Sequence, residues 1–145
     1  MPFKTTDGSH IGVAKLSTSF SLSTYHYVQC STSSGSKCYA ELTNSGPSGS
    51  TMLAANIQDL VDSKTYASLH LFDSSGSFLW NYMIELGALP SSFYTPKSMK
   101  YVTSSAMIAL QDSASVPILL AIINFSGTSE PTSHDTFEVG NADVY

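Results

Sequence analysis

The sequence predicts an all-β chain, an antiparallel β-sandwich and specifically a jelly roll, of about eight to ten short strands with at most one short helix. Three observations lead there. Apolar and polar residues alternate at a period of two along much of the chain, which is the pattern of a half-buried strand. Turn text built from Gly, Ser, Asp, Asn and Pro recurs about every ten residues. No long helical pattern separates the strand candidates, as a parallel α/β sheet would require. The 145 residues are one domain's worth, so residues 1–145 are read as a single sandwich.

The first arm runs from Ser19 to Cys30, with Phe20 and Leu22 on one face and Ser21 and Ser23 opposite. The polar stretch Ser31–Lys37 follows, and Cys38–Leu42 resumes a strand, so the two arms read as a hairpin. A disulfide between Cys30 and Cys38 then becomes geometrically feasible across the hairpin; two reduced cysteines acting as small hydrophobes are the other reading.

From Met52, the residues Leu53, Ile57, Leu60 and Val61 fall at i, i+4, i+7 and i+8. Ser50 or Thr51 could cap a helix there, and Lys64 suits its end. A strand would instead use Leu53, Ala55 and Ile57. The spacing continues past Ile57, which favours a short helix.

Tyr66–Phe72 and Ser77–Leu86 form the clearest hairpin, joined by Asp73-Ser74-Ser75-Gly76. Asp early in the turn can bond its backbone, and Gly late can take positive φ. Both faces of the second arm carry apolar groups, so it is expected to be central and buried on at least one side. Pro96 marks another turn. Met99–Thr103 and Ala106–Gln111 read as short strands, and Pro117–Phe125 as a core strand. Ser126–Asp135 reads as a loop before a last strand from Thr136 to Val139.

Composition removes several function classes. The basic residues are six lysines with no arginine, and the formal net charge is −5. Phosphate binding needs clustered positive charge, so nucleic acid is not an expected partner. No apolar run approaches the ~18 residues of a membrane span, so no membrane insertion is expected. Charged residues are only 12% of the chain, and polarity comes instead from 27 Ser and 13 Thr.

No motif marks catalysis. Gly-x-Ser-x-Gly is absent, and with serine this abundant a Ser near a His arises by chance. No catalytic residue and no cofactor is assigned. Glu41 and Glu85 stand in strands, where an inward carboxyl would be a raised-pKa acid and an outward one plain surface. His-x-His and Cys-x-x-Cys spacings are absent; Asp59 with Asp62, or His134 with Asp135, could still join a metal site assembled in space.

Eight Tyr against one Trp, set among Ser and Gly, is the chemistry of recognition surfaces. It suits sugars, whose ring faces stack on aromatics. The expected contact surface is three loop tips: Ser33, Ser34 and Lys37; Asp73, Ser74, Ser75 and Gly76; and Ser129, His134 and Asp135.

The stretch Leu69-His70-Leu71-Phe72-Asp73-Ser74-Ser75-Gly76-Ser77-Phe78-Leu79-Trp80, followed by Gly87-Ala88-Leu89-Pro90, resembles in style the protruding domains of small non-enveloped RNA-virus capsid proteins. The resemblance covers about half the chain. It implies a β-rich domain on a virion surface that dimerises, presents loops to a host receptor or glycan, and continues upstream of Met1. A free, secreted carbohydrate-binding lectin of the sandwich kind is the alternative, and a jelly-roll hydrolase the third.

Overall fold

The computed structural model describes residues 1–5, 10–16, 18–19, 21–29, 36–88, 94–112 and 118–139. The strands are β1 (Pro2–Lys4), β2 (His10–Leu16), β3 (Leu22–Gln29), β4 (Ser36–Ser45), β5 (Thr51–Asp59), β6 (Lys64–Phe72), β7 (Phe78–Ala88), β8 (Tyr94–Val102), β9 (Ser105–Asp112), β10 (Ile118–Asn124) and β11 (Ser133–Val139). They form three antiparallel sheets, ordered β1-β2-β3, β4-β5-β6-β7 and β11-β10-β9-β8. The chain is therefore an all-β sandwich. Each hydrogen-bonded neighbour is also a sequence neighbour, so each sheet is a meander. The Greek-key crossovers of a jelly roll do not occur among the described strands.

The second sheet is the middle layer, and β5 shows why. Its residues Met52 to Ile57 are all buried. Met52 and Ala54 pack with Ala67, Leu69, Leu71, Trp80 and Ile84 against Met99, Ala106, Ile108, Leu110, Ala121, Ile123 and Phe125, the inner face and exit of the third sheet. The alternate residues Leu53, Ala55 and Ile57 face the other way, onto Ile11 and Val13 of β2. A strand covered on both faces loses its polar phase and becomes a continuous apolar run. That run is what mimics helical spacing, and the helix expected from Met52 is instead this strand. The only helical turn among the described residues is the 3-10 turn Pro47–Gly49.

Three further expectations are corrected. β3 pairs with β2 and β4 with β5, so the arms around Ser31–Lys37 belong to different sheets and are not a hairpin. β7 is buried on one face, through Trp80 and Ile84, but it ends its sheet rather than lying centrally. Pro96 lies within β8 at a register shift between Pro96 and Ser98; a bulge on a sheet's last strand tolerates the missing N–H.

Candidate functional site

The hairpin turn after β6 is organised by one carboxylate. Asp73 Oδ1 accepts the backbone N–H of Ser75 at 2.8 Å and of Ser77 at 2.9 Å, and the Ser75 hydroxyl at 2.6 Å. Asp73 N–H donates to Ser77 O and Gly76 N–H to Asp73 O, each at 2.9 Å. The Ser75 hydroxyl, then the backbone donors of Ser77, Ser75 and Gly76, hold the Asp73 carboxyl below its ordinary range because they bond its charged form. The tip is a fixed, anionic, hydroxyl-bearing knuckle.

Gly76 has φ +91°, a conformation that suits glycine. It also lies against the His26 ring of β3; a Cβ at this position would fall 2.2 Å from the imidazole. The tip, His26 and the Lys15–Leu16 end of β2 together enclose a groove of about 540 Å³. Leu16 and Lys15 are exposed among its lining residues, so the lining mixes aliphatic and cationic groups with hydroxyls and a carboxylate.

Of the residues expected to make contacts, Asp73, Ser74, Ser75 and Gly76 line this groove. Lys37 is exposed on β4, away from it. Ser33 and Ser34 lie outside the described residues, as does Cys30. Cys38 is buried and disulfide-bonded, and Cys30 is the chain's only other cysteine. Ser129 is exposed, its N–H bonded to Ser126 O at 3.1 Å. His134 and Asp135 belong to β11 rather than to a loop, because β10 pairs with this segment back to Ser133. His134 Nδ1 is 2.8 Å from the Tyr82 hydroxyl, with the rings edge to face at 5.5 Å. The structure thus unites one predicted tip with His26, Lys15 and Leu16. Those three carry no local signal in the sequence, since only the packing of the first sheet on the second brings them there.

Ser68 Oγ and His70 Nε2 are 2.9 Å apart, a separation suited to an activated hydroxyl. Both are sealed in the middle sheet at 1% and 2% exposure, and burial pushes the His70 pKa down to about 4. Glu85 lies on the solvent face of β7, paired with Lys64 at 3.0 Å; that hydrogen bond and charge raise the Lys64 pKa. Asp59 Oδ1 accepts the N–H of Val61 at 2.9 Å and of Asp62 at 3.3 Å, so the Asp59–Asp62 spacing is turn chemistry. Among the described residues no three His, Cys, Asp or Glu gather as metal ligands, and no helix is long and apolar enough to cross a membrane.

Compared with protein families, with curated proteins and with solved structures, the chain matches none.

Proposed function

We propose that this chain is a non-catalytic surface module that self-associates and holds a neutral, hydroxyl-rich ligand, a glycan or glycosylated receptor, in the groove under the Asp73–Gly76 tip. The observation that carries the reading is the groove's mixed lining: a fixed carboxylate, serine hydroxyls and an imidazole together with Leu16. A sugar offers the matching pair, hydroxyls for the polar wall and a C–H face for the aliphatic one. The resemblance to capsid protruding domains supplies the setting, a virion surface facing a host. A free extracellular lectin would use the same groove; finding a basic segment and a second β domain upstream in the gene would favour the capsid setting, and finding neither would favour the lectin.

The test is a glycan array on the unaltered chain and on Ser74→Arg, which places a long side chain at the exposed mouth of the groove. Capture of a small set of glycans that the variant loses is the expected result. No capture at all, or capture that Ser74→Arg leaves unchanged, overturns the reading.

A further inference from the structure

The outer face of the third sheet has no layer over it among the described residues, yet its centre is apolar, bounded at one end by the hydrogen-bonded Ser133, Asn124 and Ser105 row. Alternation places Ala121 and Ile123 of β10 and Ile108 and Leu110 of β9 inward, in the core. Ile118, Leu120 and Ile122 therefore point outward with Met107 and Ala109 between the sheet's end strands, and Phe137 and Val139 of β11 are 52% and 40% exposed beside them. Ile118, Leu120 and Ile122 are only half-buried. Contiguous apolar surface of this kind marks an interaction face.

The face carries its own complement. Register aligns Asp135 with Ile122, Ile122 with Met107, and Met107 with Lys100. One row across the sheet thus reads acid, apolar, apolar, base. Its ends are three strand spacings apart, about 14 Å, too far to meet within one chain. Both Asp135 and Lys100 are exposed, and neither has an ion-pair partner among the described residues. The next outward row reads Phe137, Leu120, Ala109, Ser98, two large residues followed by two small.

Turning a second copy about an axis parallel to the strands, between β9 and β10, lays β11 over the partner's β8 and β10 over the partner's β9. Rows are preserved by that rotation. Asp135 of each copy then faces Lys100 of the partner subunit, Ile122 faces Met107 of the partner subunit, and Leu120 faces Ala109 of the partner subunit. A two-fold interface requires this reciprocity, residue i on j and j on i, and aligned sheet packing supplies the geometry.

We infer that the outer face of the β11-β10-β9-β8 sheet is a two-fold self-association surface, with reciprocal Asp135–Lys100 pairs flanking an Ile122, Met107 and Leu120 centre. The inference deepens the self-association in the proposal above. It uses a face separate from the groove. Four strands of about seven residues give a face roughly 20 Å by 23 Å, at the small end of specific interfaces, so the dimer is concentration-dependent rather than obligate.

Sedimentation velocity on the full chain between about 1 and 200 µM tests it, with circular dichroism checking that each variant is folded. The unaltered chain is expected to approach twice its 15.5 kDa mass. Asp135→Lys and Lys100→Asp each put like charges face to face twice, and each weakens the dimer by about tenfold or more. The double variant exchanges the ends of the row and restores association. Leu120→Glu gives a monomer; should it misfold, the charge exchange at exposed positions still decides. A chain that stays monomeric, single reversals that leave the dimer intact, or a double variant that does not recover would overturn the inference. Ser74→Arg leaves the dimer intact and Asp135→Lys leaves glycan capture intact, so the two proposals fail separately.

Discussion

Gly76 and His26 are in contact so close that a single methyl group on the glycine would sit 2.2 Å from the imidazole. The contact couples the first sheet to the hairpin of the second. Gly76→Ala meets two penalties, the positive φ of +91° and the clash, and is expected to destabilise by about 2 kcal/mol or more. His26→Ala in the same chain removes the clash and leaves the φ cost, so the double variant recovers part of the loss. A thermal-denaturation double-mutant cycle reads the coupling; strictly additive variants would show that the ring does not restrain the tip.

His70 makes the fold acid-sensitive in a defined window. The folded chain binds its proton only near pH 4, whereas the unfolded chain takes it near 6.5. Stability is therefore full above about pH 6.5 and falls as the pH drops, the loss levelling off below about pH 4 at roughly 3 kcal/mol. His70→Phe is expected to flatten the melting temperature between these limits, whatever it does at pH 7. An unchanged acid slope in that variant would place the sensitivity elsewhere.

Asp73 acts in a lower range. Its carboxyl is held below 3.8 by its hydrogen bonds, so what it contributes is present above that value and fades as the pH falls through the lower, folded one. From neutral to about pH 4 the tip should keep its form. Asp73→Ala removes all three acceptor bonds at once. Amide exchange at Ser75 and Ser77 is expected to speed by about tenfold or more, with amides of β5 unaffected, and glycan capture is lost.

Trp80 fastens the loop after β10 to the core. Its Nε1–H donates to Thr128 O at 2.9 Å, and its ring meets Phe125 edge to face at 5.0 Å. Trp80→Phe keeps most of the packing and loses the bond, costing about 1 to 2 kcal/mol; Trp80→Ala costs about 3 to 5. Urea denaturation followed by circular dichroism separates the two, and a Trp80→Phe chain as stable as the unaltered one would mean the hydrogen bond contributes nothing.

Ligand capture should respond weakly to salt, because the chain offers few charges. Raising salt from about 50 to 500 mM is expected to change groove affinity by less than about threefold. A steep fall would point to a charged ligand held by Lys15.

What could be read from the sequence follows the range of the forces involved. The Asp73–Gly76 hairpin was legible because its turn residues and alternating arms are local. β5 was misread because burial on both faces erased its period, leaving Leu53, Ile57, Leu60 and Val61 at spacings that also fit a helix. Strand partners were not legible either. Nothing near Cys38 states that β4 pairs forward with β5 rather than back with β3, and nothing near Gly76 announces His26. The groove exists only because two sheets pack, so half of its wall had no signature.

The meander wiring has a consequence for synthesis. The three sheets occupy successive stretches of chain, and each closes through its own turns without waiting for a distant strand. Residues 36–88, however, build the layer that is greasy on both sides. Until the stretch 94–139 has emerged and docked, that layer stands half bare, and ribosome-held chains arrested with residues 36–88 outside the exit tunnel and 94–139 still within it or unmade should be those that chaperones grip hardest.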